Sequence, residues 1–451
     1  MGQEFSEPVV NNPNLGYVGV ALRTPNKLRL IHAPPEVVAM TASVIKEINK
    51  ASGGDSDDVS VKDKYGVPSY TLDEWCFTMG NGKTAATSGK LFTLRMFEEM
   101  YKLGYDQVVS SDLSRAYDQA TWFFVKSSCE RMGRRVVCLA PGKSDTLVMV
   151  RADQRFQDIV RRTVQESWRP GIQEEETIQS CGETVVEMKL CGNPWRDFAG
   201  EENILSRQML IKIFGTLGSH NYRLLAGTNI KGGTDSYFFM HDTSYSTSPA
   251  DMCMISLNKS DRIRLVNCVD MKGVVRDTIS SQYGEIQREE DKYGSWEFKL
   301  SGYPWCCSGD PAIKSRQLIS RISETMLAHG WALTQAIDIS RSLDDKSVLL
   351  YTRAQNCTTK FACLALSDVH RLRFLDFYPS DTQELVTVVE REYLPGVTAK
   401  FQRDATCYEM DLEGPPWTQN SSFNLHARYN QIPLFSNSRD LLSQGLRCWL
   451  C

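Results

Sequence analysis

Apolar positions along this chain follow two patterns that return together. Short runs alternate apolar and polar residues, as half-buried strands do. Longer runs place apolar residues every three to four positions, as amphipathic helices do. In one stretch Ala312, Ile313, Leu318, Ile319, Ile322, Met326 and Leu327 recur near the helical period. Asp310-Pro311 suits the start of that helix and His329-Gly330 its end. Two strands are expected after it, over 331–339 and 347–353. A β-hairpin pattern occurs four times, over 20–31, 137–150, 253–266 and 363–375. Its turn positions hold Pro25-Asn26, Pro141-Gly142, Asn258-Lys259 and Ser367-Asp368, residues that favour turns. A second amphipathic helix follows each hairpin, with apolar positions such as Val37, Val44 and Ile48 or Phe156, Ile159 and Val164.

Four tryptophans mark the period. Trp75, Trp195, Trp305 and Trp417 are separated by 120, 110 and 112 residues. The last three stand in Gly-x-Pro-Trp, while the first stands in Leu72-Asp73-Glu74-Trp75. A strand precedes each and a helix follows it. Residues at one place in every copy of a repeat are what a packed repeat core needs, so all four are read as structural repeat anchors, with Trp195, Trp305 and Trp417 expected to be buried against their own unit's long helix.

The expected fold class is α+β. A unit of about 110 residues repeats in tandem, and each copy holds an antiparallel meander packed by two helices, because strands this close in sequence prefer antiparallel pairing. The divisions are a flexible segment 1–16, a divergent unit 17–135, units 136–249 and 250–360, and a truncated unit 361–451.

Composition narrows the classes of function. The chain has 451 residues and a net charge of −4. No basic stripe is visible, which argues against nucleic acid as a partner. No run of apolar residues is long enough for a spanning helix, and residues 1–14 lack the apolar core of an export signal. Cys138, Cys253 and Cys363 lie inside apolar strand patterns and read as free buried thiols of a reducing compartment, so the expected location is the cytoplasm.

The chemistry is sparse. Gly82-Lys83-Thr84 resembles the end of a phosphate loop, but Phe77 stands where that loop needs glycine. The six histidines form no ligand spacing, so neither a metal nor a cofactor is expected, and no catalytic set can be named. A cation recurs in mid-helix, at Ser88-Gly89-Lys90, Ser206-Arg207, Ser315-Arg316 and Arg428. It reads as a repeated structural ion pair, with Asp112 and Asp338 as partners, or as an anion-binding position.

The two ends carry modification patterns. Met1-Gly2-Gln3-Glu4-Phe5-Ser6 fits the acceptor pattern for N-myristoylation at Gly2. Cys448-Trp449-Leu450-Cys451 has the shape of a prenylation box with Cys448 as acceptor. The phrase 327–334, followed by Ser347-Val348-Leu349-Leu350, resembles the helix-to-strand segments of the raftlins, membrane-raft proteins whose chains begin Met-Gly and are acylated there. That resemblance implies a raft association through Gly2. Raftlins carry a second acyl acceptor after the glycine, where this chain has Gln3. The expected function is therefore a non-enzymatic scaffold or adaptor that binds a protein partner and is held peripherally on membranes by N-myristoylation. A soluble module that binds a ligand or protein in an inter-unit cleft is the alternative, and an enzyme without a readable motif the third.

Overall fold

The computed structural model describes residues 16–450 apart from 55–58, 60, 64–66, 79–81, 112–119, 197–199, 231–233, 341–346, 419–423, 425 and 429–445. It holds four antiparallel sheets with their helices, one per repeat. The first unit runs β1 (Tyr17–Arg23), β2 (Lys27–Ile31), α1 (Pro35–Ala51), β3 (Lys62–Asp63), β4 (Pro68–Thr71), α2 (Lys83–Lys102), β5 (Tyr105–Ser111) and β6 (Thr121–Lys126). The second runs β7 (Val136–Gly142), β8 (Thr146–Val150), α3 (Gln154–Ser167), β9 (Ile172–Ser180), β10 (Glu183–Leu190), α4 (Glu201–Ser219), β11 (Tyr222–Thr228) and β12 (Ser236–His241). The third runs β13 (Met252–Asn258), β14 (Arg262–Val266), α5 (Lys272–Gln282), β15 (Ile286–Lys292), β16 (Ser295–Leu300), α6 (Asp310–Ala328), β17 (Trp331–Ile337) and β18 (Val348–Arg353). The fourth has β19 (Lys360–Ser367), β20 (Arg371–Leu375), α7 (Pro379–Glu392), β21 (Val397–Asp404), β22 (Cys407–Leu412) and β23 (Leu446–Leu450).

Each full unit is three hairpins joined by two helices, and its strand order corrects the expected meander. In the second unit the order is β11-β12-β7-β8-β10-β9. The last hairpin of a unit returns to pair with the first strand of that same unit, as Phe238 pairs with Cys138, rather than continuing into the next. The fourth sheet departs further, because β23 lies parallel to β19.

The units are not separate globules. Successive side chains of a strand point to opposite faces, and in the second unit the two faces belong to different cores. Val137, Leu139 and Met149 pack with α3 and α4, while Cys138, Ala140 and Met240 join the core of the first unit. The same division splits Met254 and Leu350 from Ile255 and Leu349 in the third sheet. The second helix of each unit therefore lies between its own sheet and the next one. That is why α2 and α4 bury residues around most of their circumference, as Leu91, Phe92, Leu94 and Met96 do. Phe97 of α2 makes the sandwich explicit, with its ring edge-on to Trp122 of its own sheet at 5.2 Å and to Phe238 of the next at 5.3 Å. Carboxylates pin the same seam. Glu98 accepts the Val136 N–H at 2.8 Å, and Glu324 accepts that of Phe361 at 2.8 Å.

The series returns on itself. Residues 424 and 426–428 are helical, and the Arg428 guanidinium donates to Thr121 Oγ1 in the first sheet. Thr121 is paired with Ala21, as Val348 is paired with Ser256 in the third sheet. Arg207 of the second unit contacts Ser256. Arg428 thus reaches the place on the first sheet that Arg207 reaches on the third. The outer face of the first sheet is correspondingly dry, with Ala21, Ile31 and Phe123 all buried. The four units close a ring.

Candidate functional site

The Gly-x-Pro-Trp turns position three of the expected anchors. The indole N–H of Trp195 donates to the Thr146 carbonyl at 2.8 Å, that of Trp305 to Arg262 at 3.0 Å and that of Trp417 to Arg371 at 3.0 Å. Trp195 and Trp417 are buried and Trp305 is half-buried. Trp75 is a correction, because it is 59 % exposed. The backbone shows the reason. Trp195, Trp305 and Trp417 donate their N–H groups to Ser144, Ser260 and Val369 in the hairpin turns, and in the first unit the residue that does so is Phe77, to Pro25. Phe77, two positions on and fully buried, is the anchor there.

The modification acceptors contribute no side-chain geometry. Gly2 and the side chain of Cys448 lie outside the described residues; the backbone of Cys448 sits in β23 in register with Ala362. Lys83 of the phosphate-loop lookalike is bound by Glu176 and Glu187 of the second unit, at 3.2 and 3.1 Å. Asp112 also lies outside the described residues. Among those described, no group of three metal-ligating side chains comes together and no helix is long and apolar enough to cross a membrane. Cys138, Cys253 and Cys363 are buried and none is in a disulfide, and burial pushes the Cys138 thiol up to about 12.

The recurring mid-helix cation is the position with most content. Counted back from the first residue of the following strand (Tyr105, Tyr222 or Trp331), Lys90, Arg207 and Arg316 are equivalent, and Arg428 plays the same part in the fourth unit. Arg207 and Arg428 reach the next sheet, Lys90 lies near Cys138 of the next sheet, and each of the four cations has a different supply of acceptors. Arg207, fully buried, donates from Nε to Ser256 Oγ at 2.8 Å and from Nη1 to the Asn203 carbonyl at 2.7 Å. Arg428, also buried, has Thr121 and, four residues back, Asn424 Oδ1 at 2.8 Å. Lys90 donates to the Ala86 carbonyl at 3.3 Å, and desolvation lowers its pKa, opposed by the nearby Cys138 and Glu187.

Arg316 lines a cavity of about 420 Å³ where three units meet. The first unit contributes Ser110 and Ser111. The second contributes Gly227, Asn229 and Asp235. The third supplies the remaining wall, including Trp305, Cys307, Ser315, Ile319, Asp338 and Leu349. Hydrogen bonds between units hold the walls in place. Ser110 Oγ donates to Thr228 Oγ1 at 2.7 Å, and the Asp338 N–H donates to Asp235 Oδ2 at 2.8 Å. The Gln335 side chain spans the second and third units, accepting from the Gly227 N–H at 2.6 Å and donating to the Leu225 carbonyl at 3.0 Å. Beneath this surface the Tyr237 phenol is fully buried with no hydrogen-bond partner among the described residues, and its pKa is raised by desolvation and by the charges of Asp235 and Asp338.

Sequence reasoning found Arg316 and Asp338 as repeat positions but not the cavity. Ser110, Asn229 and Asp235 have no motif, and they meet only because the third hairpins of successive units converge. Aligning hairpin against hairpin would have shown that Asp112, Asn229 and Asp338 occupy one position, seven residues after Tyr105, Tyr222 and Trp331.

The chain belongs to a family defined by one uncharacterised domain, which matches it four times, over residues 17–125, 135–246, 251–352 and 360–435. No curated protein and no solved structure matches it.

Proposed function

We propose that this protein is a binding module, and that a small ligand occupies the cavity between its units. The carrying observation is the cavity itself, with walls drawn from three units and braced by hydrogen bonds across the seams. Its volume falls within the roughly 300–1,000 Å³ of ordinary ligand sites, and it has the expected mixture of apolar walls and a few polar groups. A ligand there would touch three units at once, so its binding energy would add to the cohesion of the ring.

Filling the space tests this reading. Ala336 lines the cavity from an exposed position on β17, so Ala336→Trp would occupy it without opening a core. Native mass spectrometry of the protein purified from its own cells is expected to show a bound small molecule on wild type and none on Ala336→Trp. Equal loading of the two would remove the cavity from consideration.

A second reading, a cytoplasmic scaffold held peripherally on membranes, rests on the acceptor pattern at Gly2. One myristoyl chain binds membranes only marginally, so such a protein would exchange between cytosol and membrane. The two readings are compatible, since the acyl acceptor and the cavity use different residues.

A further inference from the structure

We infer that the cavity takes a small organic monoanion with an apolar body, and that Arg316 is the group that holds its negative charge. This rests on the binding-module reading and adds the chemical class.

The inference comes from comparing equivalent cations around the ring. Arg207 and Arg428 each have a hydroxyl acceptor in the next sheet, Ser256 and Thr121, and each has an asparagine one helical turn back, Asn203 and Asn424. Arg316 has neither. The register β13–β14 pairs Ser256 with Arg264, and β19–β20 pairs Ala365 with Arg373, so Ala365 stands where Ser256 stands in the third sheet. One turn back from Arg316 is Ala312. What remains to it is the Ala312 carbonyl at 3.3 Å, and among the described residues it forms no ion pair. A guanidinium carries five donors, and among the described residues only Nη1 of Arg316 meets an acceptor.

Those donors have somewhere to go. Both replacements remove bulk as well as acceptors, and Ala312 and Arg316 line the cavity together. Arg207 is fully buried, whereas Arg316 keeps part of its surface open. A cation at the wall of a partly apolar pocket is a receptor for a carboxylate, sulfonate or phosphate diester. Ser347 also lines the cavity and brings a hydroxyl, while the Ser110 and Ser315 hydroxyls donate to Thr228 and to the Pro311 carbonyl. Trp305, Ile319 and Leu349 supply apolar wall for the rest of the molecule. The carboxylates of Asp235 and Asp338 line the same space, so the cavity takes at most one negative charge, seated at Arg316, and a ligand that turns a hydroxyl or amine donor toward them suits it best.

Two fluorescent probes of nearly one shape decide the matter, used with the full-length protein. 8-Anilinonaphthalene-1-sulfonate is an apolar monoanion, and N-phenyl-1-naphthylamine is its uncharged parent. The sulfonate is expected to bind saturably at one site that Ala336→Trp abolishes. Arg316→Gln should weaken the sulfonate by about tenfold or more, the loss of one charge-assisted hydrogen bond, and leave the neutral probe unchanged. Arg316→Lys should retain most of the preference, and the wild-type sulfonate affinity should fall with added salt. These two readouts decide the case if Arg316→Gln fails to fold. If both probes bind and are lost in Ala336→Trp, but the sulfonate ignores Arg316→Gln, Arg316→Lys and salt alike, the cavity is a ligand site and the anion assignment is wrong. If neither probe binds saturably, or Ala336→Trp changes nothing, the binding-module reading falls and the anion assignment falls with it.

Discussion

Arg207 donates to Ser256 at 2.8 Å between two side chains removed from solvent, and this bond ties the helix of one unit to the first strand of the next. Ser256 in turn donates to Asn258 Oδ1 at 2.9 Å, and Arg264 reaches back from the third sheet to Asn203 Oδ1 at 2.8 Å. A buried polar network of this kind depends on every member being satisfied.

Ser256→Ala is therefore expected to cost about 1–3 kcal/mol, since it takes an acceptor from a buried charge. Arg207→Met keeps the apolar stem and removes the charge. Urea unfolding of the two single variants and the double variant should show a coupling of about 0.5–3 kcal/mol, the range for residues in one network. Strict additivity would mean that the bond contributes nothing beyond its separate parts.

The tryptophan period gives a sharper contrast. Trp195→Ala and Phe77→Ala should each lose about 3–5 kcal/mol, as truncation of a buried aromatic does. Trp75→Ala should stay within about 0.5 kcal/mol of wild type, because its ring is mostly in water. Thermal midpoints read this directly, and a large loss at Trp75 with a small one at Phe77 would reverse the assignment of the first unit's anchor.

Acid should loosen the ring at its closing unit. Burial lowers the pKa of His426 from 6.5 to about 4, so the folded state holds it neutral. The unfolded chain binds a proton at higher pH than the folded chain does. Stability from this group is complete above about pH 6.5 and is lost as pH falls toward 4. The full difference amounts to about 3 kcal/mol. Chemical denaturation at a series of pH values should show the slope in wild type, and a shallower one in His426→Gln. Identical slopes would place the titration elsewhere.

Gly2→Ala removes the only α-amine geometry that the acyl transferase accepts while leaving the folded body alone. Wild type from eukaryotic cells should then divide between membranes and cytosol, and the variant should be found in the cytosol alone. Equal distribution of the two would end the acyl-anchor reading.

Much of the fold was legible because a repeat writes its pattern several times. The hairpins, the two helices per unit and the recurring cation all follow from apolar spacing at matched positions. What misled was local evidence. Strands β12 and β13 are neighbours in sequence, yet β12 pairs back to β7, because the helix between sheets needs a sheet on either side of it. Trp75 looked like the first anchor because tryptophan is rare, whereas the backbone register selects Phe77. The cavity was least legible. That Arg316 lacks the acceptors of Arg207 appears only when Ala365 and Ser256 are known to occupy one place on successive sheets.

The bond from Arg428 to Thr121 also sets an order in time. Chains are made from the N-terminus and their domains fold as they emerge. The first sheet is completed early, but the helix whose Arg428 reaches its outer face is synthesised 307 residues after Thr121. Until then the Thr121 hydroxyl on that face lacks the Arg428 guanidinium that donates to it. The first unit of the nascent array waits for the fourth before its outer face receives Arg428. A ribosome stalled before the fourth unit would hold a chain with sticky surfaces at both ends of its array, and such chains would be drawn to chaperones or to one another.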